Sequence, residues 1–179
     1  LYGGTLAIPD LALDTVSRQV ALTLRSDVEA HAFAPRLGRG AAEWLDQFRW
    51  VRPPAVEARL QATLPAAVPA DADWAKLMLP GVIVDATVHG EDAAYREVEV
   101  RRADLKVGFA GQVLHLRDFH VVRPEGDADL AYDLDTRTQE FRWRLRANLD
   151  PKGVGPAIDR AAPAVLELFT FNGPAAVAG

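Results

Sequence analysis

Four histidines (His31, His89, His115 and His120), two serines (Ser17 and Ser26) and a run of aspartates are the side chains whose chemistry could go beyond packing. Their spacing decides what they can do. His115 and His120 lie five apart within Val113 to Val121, whose alternation predicts a strand, and an ideal strand puts residues five apart on opposite faces. No metal-ligand spacing links the four, so surface histidines are expected and no metal site. Asp127, Asp129, Asp133 and Asp135 occupy odd positions and share one strand face, opposite Leu130, Tyr132 and Leu134. A calcium loop needs a glycine turn and a distal glutamate at fixed offsets, and both are missing. Paired carboxylates could also hydrolyse a glycoside across a cleft, but a solvated strand face is the simpler expectation. Neither serine sits in a nucleophile elbow, and Gly153-Val154-Gly155 lacks the third glycine and acidic partner of a dinucleotide fingerprint. The chain has no cysteine, which removes thiolate chemistry and disulfides together. The expectation is a non-catalytic protein with no cofactor and no catalytic residue.

Composition narrows the classes further. The chain has 179 residues, 49% apolar and 25% charged, with 20 Lys+Arg against 25 Asp+Glu for a net charge of −5. The two signs are interspersed, so no basic stripe for nucleic acid exists. Apolar runs such as Val82 to Val84, or Ala161 to Leu168, which still contains Glu167, fall far short of the roughly 20 residues that span a bilayer. The sequence opens at Leu1-Tyr2-Gly3-Gly4 without a signal-like segment and reads as a section of something longer.

The elements that must position these residues come from an internal repeat. Residues 11–58, laid without gaps over 132–179, match at 13 of 48 positions, among them Leu13-Asp14-Thr15 with Leu134-Asp135-Thr136, Leu24-Arg25 with Leu145-Arg146, and Phe48 with Phe169. A repeated module of turn, strand, helical segment and strand follows. Glu140 to Leu149 and Gln19 to Val28 alternate with a period of two. The period then lengthens to nearly four, through Phe33, Leu37, Ala41, Leu45 and Phe48 in one copy and Val154, Ile158, Ala162, Leu166 and Phe169 in the other. Asp150-Pro151 suits a helix start, Pro163 a break, and Pro53-Pro54 and Gly173-Pro174 stop signals.

Between the copies the pattern predicts strands at Val56 to Leu64, Val82 to His89, Ala93 to Val98, Val100 to Phe109, Val113 to Val121 and Asp127 to Leu134. Ala110-Gly111 predicts a tight hairpin and Asp135 to Thr138 a longer one. Leu1 to Ile8 and Ala175 to Gly179 are expected as terminal strands with unpaired edges. Residues 1–64 read as the C-terminal part of one module, 65–81 as a linker lying across an apolar surface through Trp74, Leu77, Met78 and Leu79, and 82–179 as the following module, the two able to share one sheet. The expected fold is mainly β (α+β): a broad, curved, groove-like antiparallel meander with short amphipathic helical crossings. Leu22, Leu24, Leu60, Val84, Val107, Phe109, Leu114, Leu116, Phe141, Trp143 and Leu145 are expected on its inward face. That face is either an ordinary closed core or an oily groove suited to acyl chains.

Several stretches resemble modules of the bacterial AsmA-like proteins related to TamB. They are Asp129 to Thr136, Phe141 to Pro151, Phe169 to Pro174, Val84 to Val88 with Ala94 to Val100, and Leu114 to Phe119 followed by Arg123 to Gly126. The resemblance implies a repeating β-groove in the periplasm, anchored in the inner membrane by a helix outside this segment and conducting phospholipid toward the outer membrane. It implies phospholipid acyl chains and neighbouring modules of the same chain as partners, membrane contact only through parts outside this segment, and no catalytic residues. The alternative is a scaffolding β module of a large envelope protein, its core filled by its own segments.

Overall fold

The alternating patterns become one open antiparallel sheet. The computed structural model describes residues 3–34, 39–67, 77–149 and 175–178. Its strands are β1 (Leu6–Asp14), β2 (Gln19–Ser26), β3 (Phe48–Trp50), β4 (Ala55–Thr63), β5 (Val82–Tyr95), β6 (Val98–Ala110), β7 (Val113–Arg123), β8 (Gly126–Asp135), β9 (Phe141–Ala147) and β10 (Ala175–Ala178). They pair in the order β1-β2-β4-β5-β6-β7-β8-β9-β10, with β3 beside β5. Sequence neighbours are thus almost always sheet neighbours, which short antiparallel connections require. The sheet passes from β4 to β5 without interruption, so both predicted modules contribute to it.

Several predicted boundaries move for local reasons. Val82 to His89 and Ala93 to Val98 are not two strands: β5 runs through Asp92, which takes φ 48, and turns only at Arg96, φ 54. No glycine marks that turn, which hid it from the sequence. The tight hairpin between β6 and β7 is centred on Gly111 and Gln112, φ 57 and 65, the two positive values that a type I′ turn needs. β1 extends to Asp14, well past Ile8.

Among the described residues of the predicted helical stretch from Phe33 to Phe48 there is one short helix, α1 (Arg39–Leu45), preceded by a 3-10 turn at Ala30–Ala32. Phe48 belongs to a strand instead, paired with Tyr95. Gly40 weakens the helix, while Phe48-Arg49-Trp50 finds a free stretch of β5 beyond the end of β4. The second helical copy at 150–174, with Pro163, lies outside the described residues. Residues 68–76 of the predicted linker, Trp74 among them, lie outside the described residues, and its described end holds a 3-10 turn at Leu79–Gly81.

The repeat recurs in backbone geometry. Asp14 accepts the backbone N–H groups of Val16 and Ser17, and Asp135, 121 positions on, accepts those of Arg137 and Thr138. The last residue of each turn has a positive φ, Arg18 at 59 and Gln139 at 63. The hairpins β1–β2 and β8–β9 are therefore built alike, with Asx-type turns closed by the aspartate side chain. The strand added next keeps its facing but not its register, with Arg25 opposite Glu57 in one copy and Arg146 opposite Ala176 in the other.

Little of this sheet is sealed. Ala34, Leu45, Ala62, Val98 and Leu149 are the buried apolar residues among those described. The accessible surface is 12310 Å² for a mass of 19.5 kDa, against about 8,500 Å² for a compact monomer of that mass.

Candidate functional site

Cross-strand register decides which side chains share a face, because directly opposed residues point the same way. One row runs Leu22–Leu60–Val84–Phe109–Leu114–Leu134–Phe141 from β2 to β9. The next runs Leu24–Ala58–Ala86–Val107–Leu116–Tyr132–Trp143 beside it. Leu145, opposite Leu130, follows on the same side. All eleven residues singled out from the sequence fall on this one apolar face. Seven strands at about 4.8 Å spacing make each row about 29 Å wide. Ala58 and Ala86 are the small members of the second row, between Leu24 and Val107.

The apolar face is half-open. Phe141 is 59% exposed, Tyr132 stacks on it at 6.2 Å between ring centroids, and the other ten predicted residues are part-exposed, none of them buried. Phe119 also lies on this side, opposite Leu130. Odd-even counting alone would have placed Phe119 with His115. A bulge at Arg117 and Asp118, where Asp118 has φ 48, inserts the extra residue that turns it over.

The same bulge corrects the histidine geometry. His115 and His120 share a face, opposite Asp133 and Asp129, rather than pointing apart. On this polar face each histidine binds a carboxylate through Nδ1: His89 to Asp104 at 2.7 Å, His115 to Asp133 at 2.5 Å and His120 to Asp129 at 2.8 Å. The His115 bond, together with the Arg117 guanidinium, outweighs partial burial and holds the Asp133 carboxyl below its usual range. His89 and Arg102 do the same for Asp104. The aspartates of β8 share one face, as expected, but two of them are tied to histidines across the strand pair. One ligand atom each from His120, Asp127 and Asp129 lies within 4.8 Å of the others, the group among the described residues that could close on a cation.

The fourth histidine sits at the sheet's end. His31 Nδ1 meets the Glu29 carboxylate at 2.7 Å, and Nε2 meets the carbonyls of Leu45 and Phe48 at 3.0 and 3.1 Å. Its ring packs 4.4 Å from Trp50, whose Nε1–H donates to Glu29 at 2.9 Å. Partial burial pushes the imidazole down, but the acceptors around it raise it above its ordinary value overall. Beside it a cavity of about 660 Å³ is lined by Glu29, Arg52, His89 and Glu91 among others, with Arg52 and Glu91 paired at 3.0 Å.

A second concavity of about 600 Å³ crosses the middle of the polar face. It lies over two adjacent rows, Arg25–Glu57–Thr87–Lys106–Arg117 and Thr23–Arg59–Asp85–Gly108–His115. The sequence reading missed it, because its charges come from five strands and become neighbours only through pairing.

No helix among the described residues is long and apolar enough to cross a membrane. No family model matches the chain, and comparisons with curated proteins and with solved structures return no match.

Proposed function

We propose that the apolar face seats the acyl chains of phospholipid, as part of a non-catalytic, AsmA-like module of the bacterial envelope that guides lipid between inner and outer membrane. The observation that carries this reading is the pair of apolar rows, unbroken over seven strands and part-exposed along their length. A face about 29 Å wide is roughly twice the ~15 Å half-thickness of a bilayer core, so it accommodates the chains of a phospholipid. These side chains offer no hydrogen bonds apart from the Tyr132 hydroxyl and the Trp143 indole, which suits a hydrocarbon ligand. The mechanism is passive: chains lie along the rows, head groups stay at the wet rim, and movement follows a gradient. Periplasmic placement, with anchoring through parts of the chain beyond this segment, belongs to the same proposal.

The competing reading is a scaffold whose face is filled by its own amphipathic segments. Phe141→Glu and Trp143→Glu separate the two. Seating acyl chains predicts folded variants that lose photo-crosslinking to a diazirine-labelled phospholipid, while the scaffold reading predicts unfolding. Quenching by brominated acyl chains gives a second readout, expected to fall sharply when Trp143 is replaced by Phe. Wild-type protein that neither crosslinks nor quenches would refute lipid seating.

A further inference from the structure

The polar face carries a groove that its sequence neighbourhood does not announce. Four fixed cations, Arg25, Arg59, Lys106 and Arg117, line it against two carboxylates, Glu57 and Asp85, in a chain whose net charge is −5. The lining residues carry two more positive than negative charges, Asp118 and Asp133 at its margin offset two of them, and a concave wall concentrates the field of the cation left unpaired. Depth comes from side-chain size. Gly108 has no side chain and Thr87 a short one, while long basic residues stand around them. Most of the cations are partly engaged: Arg25 with Glu57 at 3.2 Å, Lys106 with Asp118 at 2.6 Å and Arg117 with Asp133 at 2.5 Å. Arg59 has no hydrogen bond or ion pair among the described residues, and neither has Asp85, although the two stand opposite each other in register.

We propose that this groove binds a small phosphate-bearing polyol, the phosphate held by Arg59 and Lys106 and the hydroxyls by Asp85 and Thr87. The free Arg59 fork offers parallel donors matched to phosphate oxygens, and Lys106 keeps two ammonium protons beyond the one given to Asp118. A purely anionic ligand would meet Asp85 unfavourably. A ligand that also brings hydroxyl donors turns that carboxylate into an acceptor. The volume of about 600 Å³ falls within the range of small-molecule sites. Free sugar phosphates and the glycerol phosphate head group of a lipid share this chemistry. The groove lies on the face opposite the apolar rows, so the inference does not rest on the acyl-chain reading.

Gly108 makes a clean test possible. A Cβ there would meet only the His115 Cβ and Cδ2, at 3.7 and 4.0 Å, which is ordinary contact, so a larger residue fills the groove without forcing the backbone. Calorimetric titration of the 179-residue chain with glucose 6-phosphate, glycerol 3-phosphate, inorganic phosphate and glycerol reads the binding directly. The two phosphorylated polyols are expected to bind at least tenfold more tightly than inorganic phosphate, and glycerol not at all. Gly108→Leu and Arg59→Ala are each expected to weaken them at least tenfold with the circular dichroism spectrum unchanged. Flotation with phosphatidylglycerol vesicles distinguishes the source: binding that survives Gly108→Leu is surface attraction, and binding lost with it places a lipid head group in the groove. Equal affinity in wild type and both variants, or no preference for polyol phosphates over inorganic phosphate, overturns the proposal.

Discussion

Replacing His31 with alanine is expected to destabilise the protein by about 2 kcal/mol near pH 6, and by much less at pH 9. Both ring nitrogens face only acceptors, the Glu29 carboxylate on one side and the Leu45 and Phe48 carbonyls on the other. Only the imidazolium donates from both nitrogens, so the geometry selects the charged ring. A hydrogen bond involving a charged group contributes about 1.5–3 kcal/mol. The His31 and Glu29 side chains are 32% and 34% exposed, and solvent screening at that exposure brings the pair to about 1–2 kcal/mol. Packing against Trp50 adds about 0.5 kcal/mol.

The pH dependence has a definite sign. The folded pKa of His31 is raised above 6.5, so its contribution is fully present below 6.5 and is lost as pH rises through the folded value. Partial burial pushes Glu29 up, but the bonds from His31 and Trp50 prevail and lower it below 4.5. Its contribution is present above 4.5 and is lost as pH falls through its own folded value. The lock is therefore strongest between about pH 4.5 and 6.5. Urea unfolding followed by tryptophan fluorescence from pH 4 to 9, for wild type and His31→Ala, measures it. A wild-type advantage that stays constant with pH, or grows above pH 7, would refute the reasoning.

Two further outcomes follow from the turns. Gly126→Ala should cost about 2–4 kcal/mol in denaturant unfolding, because φ is 156 there and the added Cβ runs into the Asn148 carbonyl where Asn148 N–H bonds to Asp127 at 2.8 Å. Gly111→Ala, in open space at φ 57, should cost only about 1 kcal/mol, and equal costs would show that the Asn148 contact is unimportant. Asp135 is held down to about 2 by the Arg137 side chain and then by the backbone N–H of Arg137. Carboxyl NMR should find it ionised until the pH approaches 2, its stabilisation of the hairpin present above 3.8 and lost only as pH falls through about 2; titration near 3.8 would contradict the turn geometry.

Much of the fold was legible because strand alternation is a local property. The period of two in Phe141-Arg142-Trp143-Arg144-Leu145 depends on those residues alone, and it placed the apolar side chains together before any pairing was known. The Asp14 and Asp135 turns were legible for the same reason, since an aspartate side chain closes its turn within three residues. Helical period was a weaker guide. Phe48 kept the spacing of a helix face but was taken by β5, an interaction between residues 47 positions apart.

The sequence by itself therefore determined that each strand has an oily and a wet side, and that the first hairpin is rebuilt 121 positions later. Tertiary structure alone decided where those sides meet. The bulge at Arg117 and Asp118 reverses the facing of everything after it in β7, bringing His120 beside Asp129 and Phe119 onto the apolar rows. A bulge is an accommodation between two paired backbones, so no count along one strand reveals it. The groove around Gly108 is likewise a product of register: five strands each supply one or two charges, and only their hydrogen-bonded alignment sets Arg59 opposite Asp85 and Lys106 on the next strand, diagonal to Asp85.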